Sequence, residues 1–302
     1  MTHTVGFIGL GLMGSAIAEQ YLRAGNEALV FDLSTDAVLR MVKLGARSTA
    51  SPRDLADQAS VVIACLPSPA ASHQVALGDD GVCHGKAVRI YIETSTIGVR
   101  ACQNIAATLA NRSIQLVDAP VSGGPRAALQ GKLTSMVATP ASTWIEVENI
   151  INDYSGKTFL VAEKPGLAQA CKLVNNAMSL STLALACETI VFGVAAGLDA
   201  STMIDVINTS SGRSAATLDK FPTSILTRQF DYGASVRTAA KDLDLFVQEA
   251  QAVGMDVSGV RCMADIWKGA METGDPERDF TSLIRDYEAP LGVIVGKGSE
   301  SP

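Results

Sequence analysis

The sequence predicts a two-part chain, an α/β half built on a parallel sheet followed by an all-α half, with a long helix linking them. Three observations predict it. Short apolar runs alternate with helix-like segments through the first 160 or so residues. Strand signals stop after Gly166, where Leu167–Ala196 opens a run without proline. The length, 302 residues, suits two domains of roughly 100–200 residues each.

The elements follow in order. Val5–Ile8 reads as a strand, 13–24 as a helix ending at Gly25, 28–31 as a strand and 35–44 as a helix. Strands are expected at 61–66, ended by Pro67, at 89–93 and at 114–119, with a helix over 99–111. Strand-like runs at 133–138 and 158–161 flank a helix starting near Ala141. Runs apolar on both faces, set between helices, imply parallel strands covered on both sides. The run 167–196 is long enough for a helix of about 45 Å. Further helices are expected at 201–208, 217–226, 238–253, 257–272 and 280–287. We place the domains at 1–164 and 165–295, with a polar, frayed tail at 296–302.

Composition narrows the function. Hydrophobic residues are 47% and charged residues 18%, which supplies a sizeable core and excludes wholesale disorder. The net charge of −7 comes without a basic block, which argues against nucleic-acid and anionic-membrane partners. Six scattered cysteines, with no CxxC, and three scattered histidines give no metal spacing. The expectation is buried, reduced thiols in a cytoplasmic protein, with no metal. The apolar stretch 177–198 is interrupted by Glu188 and by Ser and Thr residues, and reads as a buried helix rather than a membrane span.

Gly9-Leu10-Gly11-Leu12-Met13-Gly14 is a G-x-G-x-x-G directly after a strand and at the start of a helix. Asp32 closes the next strand, 18 residues past Gly14. This is the dinucleotide-binding (Rossmann) context. Gly9 permits the tight turn, Gly11 the approach of a pyrophosphate, and Gly14 close helix–strand packing. The pyrophosphate would rest on amides at the positive end of the helix. Asp32 can bind the adenosine ribose hydroxyls and would repel a 2′-phosphate, and no Arg follows at 33–35. NAD is therefore favoured over NADP.

At this point four ordered blocks resemble the β-hydroxyacid dehydrogenases of the 3-hydroxyisobutyrate dehydrogenase type. They are 6–14, Asp118-Ala119-Pro120-Val121-Ser122-Gly123-Gly124, the stretch from Gly166 through Lys172 to Asn175-Asn176, and Lys241-Asp242-Leu243. Glu93-Thr94-Ser95-Thr96-Ile97 also resembles the family's strand end beside the nicotinamide. The resemblance implies a hydride transfer between NAD and a small β-hydroxyacid or semialdehyde. It makes Lys172 the general acid/base and Asn176 the substrate-orienting amide. Ser122, Gly123 and Gly124 would hold the substrate carboxylate. Thr96, Lys241 and the Leu66–Pro67 loop would lie along the cofactor.

The residues themselves agree with parts of this. An alcohol oxidation needs a group to take the proton from oxygen, and no histidine is placed for it. Lys172 has Asn175 and Asn176 at i+3 and i+4, so all three share a helix face. Asn175 could instead satisfy helix or interface groups. Ser122 and two glycines offer a hydroxyl and unobstructed amides to a carboxylate. Arg213, in Ser-Ser-Gly-Arg-Ser, could meet a second carboxylate bidentately, and Arg126 is another candidate. A solvated surface arginine is the competing reading for Arg213. Alternatives to the dehydrogenase are an imine reductase of the same architecture, a relative of 6-phosphogluconate dehydrogenase, and a catalytically silent dinucleotide-binding protein. The helix near 177–196, apolar or small on nearly all faces, together with the family's habit, suggests a homodimer or homotetramer.

Overall fold

The computed structural model describes residues 4–296, so Met1–His3 and all of the expected tail except Gly296 lie outside the described residues. By its contacts the chain falls into two units, Met1–Lys172 and Leu173–Pro302, divided inside the long helix.

The first unit is a nine-stranded sheet with helices on both faces. Its elements are β1 (Val5–Ile8), α1 (Leu12–Arg23), β2 (Ala28–Phe31), α2 (Thr35–Lys43), β3 (Arg47–Ser48), α3 (Pro52–Ala56), β4 (Val61–Ala64), α4 (Pro69–Leu77), β5 (Ile90–Glu93), α5 (Val99–Ala110), β6 (Gln115–Asp118), β7 (Val121–Ser122), α6 (Gly124–Leu129), β8 (Leu133–Ala138), α7 (Ala141–Asn152) and β9 (Ser155–Ala162). The strand order is β3-β2-β1-β4-β5-β6-β8-β7, with β9 beside β8. Successive residues of β4 feed opposite cores: Val61 and Ile63 pack with α1 residues such as Ile17, Val62 and Ala64 with α5 residues such as Ile105. That two-sided burial is why the central strands read as unbroken apolar runs, whereas β9 is apolar at Phe159, Leu160 and Val161 yet exposed there.

The sheet is not wholly parallel, which corrects the sequence reading. β3 through β6 are parallel neighbours, but β8 runs antiparallel to β6 and β7, and β9 is parallel to β8. A strand buried on both faces looks the same in either direction, so the reversal leaves no trace in its hydrophobic pattern. Helices α3, α4 and α6 were not anticipated. Of these, α3 and α4 each begin at a Ser-Pro pair whose serine hydroxyl, Ser51 or Ser68, accepts the amide of Asp54 or Ala71.

The long helix α8 (Leu167–Ala195) carries the chain from the first unit into the second. It ends before Gly197, whose φ of +96° makes the turn. The second unit continues with α9 (Ala200–Asn208), a π-helix at Ala216–Ile225, α10 (Val236–Ala252), α11 (Ser258–Thr273) and α12 (Ile284–Glu288). One face of α8 supplies Leu180, Leu183, Cys187 and Ile190 to its core, with Phe221, Leu243 and Trp267. The expected helix at 217–226 is wound as a π-helix around Pro222. Proline has no amide to give the i−4 carbonyl and its ring crowds that carbonyl, so the wider winding accommodates it. The thiols also depart from expectation. Cys83, Cys102 and Cys187 are buried, Cys65 is half-buried, and Cys171 and Cys262 are exposed.

Candidate active site

The first unit gathers most of the predicted residues at the carboxyl ends of β1, β2, β4, β5 and β6, where ligands bind in open α/β sheets. Each glycine of the loop has a distinct job. Gly9 has φ +88°, and a side chain there would also strike the Cys65 carbonyl. A Cβ on Gly14 would lie 1.9 Å from the Gly9 carbonyl oxygen, so α1 could not close on β1. A Cβ on Gly11 would meet nothing within 4 Å, so the space above this residue is open. Gly11 caps α1 without any side-chain hydrogen bond, and the first turn holds no acid. Leu12 and Met13, which begin the helix, thus present main chain at an uncapped positive end, as a pyrophosphate requires.

Asp32 stands just past β2. Its carboxylate accepts the Leu10 amide at 2.6 Å and the Ser34 amide at 2.7 Å, which fixes it against the glycine loop. Leu66, after β4, donates its amide to the Ser95 hydroxyl at 2.7 Å, and Thr94 donates its hydroxyl to the Ala64 carbonyl at 2.7 Å. The Leu66–Pro67 and Thr94–Thr96 segments are thereby tied side by side. These residues fit a nicotinamide dinucleotide: an uncapped helix end for its phosphates, a carboxylate for its ribose, and adjoining strand ends for its far half.

Ser122 ends β7, and Gly123 and Gly124 follow with φ of +135° and +72°. Two successive left-handed residues demand glycine. A side chain on Gly123 would also fall 2.8 Å from the Ala127 Cβ.

Sequence reasoning missed the polar network beneath Lys172. The Asp118 Oδ2 atom accepts the amides of Gly166, Ala168 and Gln169, at 2.8, 3.1 and 3.2 Å, and so caps α8. The Gln169 side chain is fully buried. Its Oε1 accepts the amides of Ile97 and Gly98, and its Nε2 donates to the Ser95 carbonyl and to Asp118 Oδ1. Lys172 lies one turn further along and is 8% exposed. The helix that carries it is thus clamped to the ends of β5 and β6. Glu93, at the end of β5, is wholly buried and accepts the Ser95 amide at 3.0 Å and the Tyr91 hydroxyl at 3.3 Å. Burial pushes the Glu93 carboxyl up to about 7, against the bonds from Ser95 that favour its charge. Burial likewise lifts Asp118 to about 6, while its bonds from Gln169 and the helix amides pull the other way. The available signal was a glutamine three residues before the lysine in an otherwise apolar stretch, which needs buried partners.

The second unit holds its own cluster. Asn176 donates from Nδ2 to Asp242 Oδ2 at 2.7 Å, and Asn175 donates to Asn176 Oδ1 at 3.1 Å. Lys241 Nζ pairs with Asp242 Oδ1 at 3.1 Å. Asp242, 5% exposed, was given no role of its own from the sequence, yet it orients the Asn176 amide. Asn175 is exposed. Arg213 and Arg126 are exposed too. Gly212 and Ser214, on either side of Arg213, line a cavity of about 230 Å³ against Thr182, Leu185 and Thr189 of α8. That wall begins six residues past Asn176, about 9 Å along the helix.

Comparison with known proteins gives the family of the chain. The family described as the NAD-binding domain of 6-phosphogluconate dehydrogenase matches residues 4–162. A second, described as NAD-binding of NADP-dependent 3-hydroxyisobutyrate dehydrogenase, matches residues 166–287. A probable mitochondrial 3-hydroxyisobutyrate dehydrogenase of Arabidopsis thaliana is 31% identical, over 94% of this chain and 87% of that protein. A 2-(hydroxymethyl)glutarate dehydrogenase of Eubacterium barkeri is 30% identical, over 97% and 98%. The solved structure of Mycobacterium tuberculosis 3-hydroxyisobutyrate dehydrogenase with L-serine superposes with a TM-score of 0.86, at 26% identity, covering 95% of this chain and 99% of that one. The chain belongs to the β-hydroxyacid dehydrogenase family. It is a nicotinamide-dinucleotide-dependent oxidoreductase of the 3-hydroxyisobutyrate dehydrogenase type.

Proposed function

We propose that the protein oxidises a small β-hydroxyacid, or reduces the matching semialdehyde, with Lys172 as general acid/base and NAD as the preferred cofactor. The observation that carries this reading is a buried lysine on a helix clamped by Asp118 and Gln169 to the cofactor edge of the sheet. A bound nicotinamide supplies the hydride acceptor or donor. The glycine loop from Gly9 to Gly14 and Asp32 would hold its pyrophosphate and ribose. Ser122 and the amides of Gly123 and Gly124 would hold the substrate carboxylate. In the oxidation direction Lys172 enters as the free amine and takes the proton from the hydroxyl oxygen. In reduction its ammonium returns that proton to the forming alkoxide. Asn176, one turn along the same helix face and oriented by Asp242, would direct its amide at the reacting oxygen.

The test is Lys172→Met with 3-hydroxyisobutyrate and related hydroxyacids. The expected result is a loss of kcat of roughly 10²–10⁴ with NAD affinity retained. A loss below tenfold would remove Lys172 from the proton transfer.

We also propose a homo-oligomer. Val174, Met178, Leu185 and Phe192 form an apolar stripe on α8, exposed by 55, 66, 46 and 73%. A stripe at helical spacing can meet its own copy across a two-fold axis.

A further inference from the structure

Every buried carboxylate described so far is met by direct donors. Asp118 takes amides and Gln169, Asp242 takes Asn176 and Lys241, and Glu93 takes Ser95 and Tyr91. Lys220 is different. It sits on the π-helix, 4% exposed. Its Nζ reaches the Ser179 hydroxyl at 3.3 Å, a long bond, and lies 5.3 Å from the centre of the Tyr232 ring. Among the described residues no carboxylate comes within ion-pair distance of it. Its neighbour Asp219 is exposed, and its carboxylate accepts the Tyr232 hydroxyl at 2.6 Å.

An ammonium carries three donors and loses its hydration when buried. One long bond and a ring face replace little of that loss. Burial pushes the Lys220 amine down from its ordinary value, with Asp219 opposing, which agrees with an under-compensated charge. An anion brought from outside would complete such a group. Its position says which anion. Ser179 lies three residues past Asn176 and seven past Lys172, so the three share a face of α8. Ser179 stands about 10 Å along the axis from Lys172. A substrate laid along that face, with its reacting carbon at Lys172, points its far end toward Ser179.

We propose that Lys220, with Ser179, is the subsite for a second anionic group on the substrate, a terminal carboxylate remote from the reacting carbon. The inference rests on the dehydrogenase reading and sharpens it to a hydroxy diacid. It also moves the second-carboxylate role away from Arg213. That residue is exposed, and its attraction to an anion is weakened by water and salt.

The direct test needs no turnover. NAD-saturated protein is titrated calorimetrically with glutarate and with butyrate, a diacid and a monoacid that lack the reacting hydroxyl. Glutarate should bind at least about tenfold tighter, the worth of one charge-assisted contact. Lys220→Met should shrink that ratio to near unity, and Lys220→Arg should keep part of it. In turnover, Lys220→Met should lower kcat/KM for 2-(hydroxymethyl)glutarate about tenfold more than for 3-hydroxyisobutyrate, chiefly through KM. Equal binding of glutarate and butyrate by the wild-type protein overturns the proposal, and this holds even if the variants do not fold. A variant that weakens NAD and both acids alike also overturns it, because Lys220 is then a packing residue. Silence with both hydroxyacids would count against the dehydrogenase reading, while the glutarate titration still decides the subsite.

Discussion

The amide of Gln169 is the cheapest place to break the clamp on α8. Gln169→Leu keeps the volume and removes both polar atoms. Four hydrogen bonds vanish, at 2.9 and 3.2 Å from the Ile97 and Gly98 amides and at 3.0 Å each to Ser95 and Asp118. At about 1 kcal/mol net per bond the loss is about 4 kcal/mol, because all four partners stay buried without replacement. That is a large share of the roughly 5–15 kcal/mol that holds a domain together. The protein has two tryptophans, Trp144 in the first unit and Trp267 in the second. In a Trp267→Phe background the Trp144 fluorescence follows unfolding of the first unit in urea. The expected result is a midpoint lowered by the equivalent of about 3–5 kcal/mol at unchanged slope. The cofactor should still bind, with kcat reduced, because Lys172 sits one turn from the severed clamp. A loss under about 1 kcal/mol with normal kcat would show that the amide does not hold the helix, and the reasoning would fail.

Two further predictions concern the cofactor and pH. Asp32→Ser should raise KM for NAD about tenfold or more and narrow the preference over NADP, measured by initial rates with each cofactor; an unchanged ratio would remove Asp32 from ribose recognition. Glu93 has its carboxyl pushed up to about 7, so the folded state holds its proton more tightly than the unfolded state does. The associated stability is fully present below the ordinary carboxylate range and is lost as pH rises through 7. The wild-type protein should therefore gain on the order of 1–3 kcal/mol over Glu93→Gln between pH 8 and pH 5, read from urea midpoints of the two proteins. A difference that grows toward alkaline pH would refute the assignment.

How much was legible in the sequence varies with the range of the interaction. The glycine loop was readable because its spacing is local: Gly14 answers the Gly9 carbonyl five residues away, and Gly9 needs glycine for its own φ of +88°. The central strands were readable because two-sided burial forces apolar runs. The helices α3 and α4 carried a local signal, Ser51-Pro52 and Ser68-Pro69, that the hydrophobic pattern hid, since one is only five residues long and the other lacks a strong apolar stripe.

The sequence by itself determined the order of the main strands and helices, the dinucleotide loop with Asp32, and the lysine–asparagine face of α8. All of these rest on contacts close along the chain or on the periodicity of burial. The tertiary structure alone decided the antiparallel turn of β8, the clamp of Asp118 and Gln169, the Asp242 that orients Asn176, and the burial of Lys220. The polar groups among these meet across 41 to 74 residues of chain. A buried glutamine or lysine has no pattern of its own in one dimension; desolvation and hydrogen-bond geometry give it meaning only when the fold brings its partners, or its lack of them, to one place.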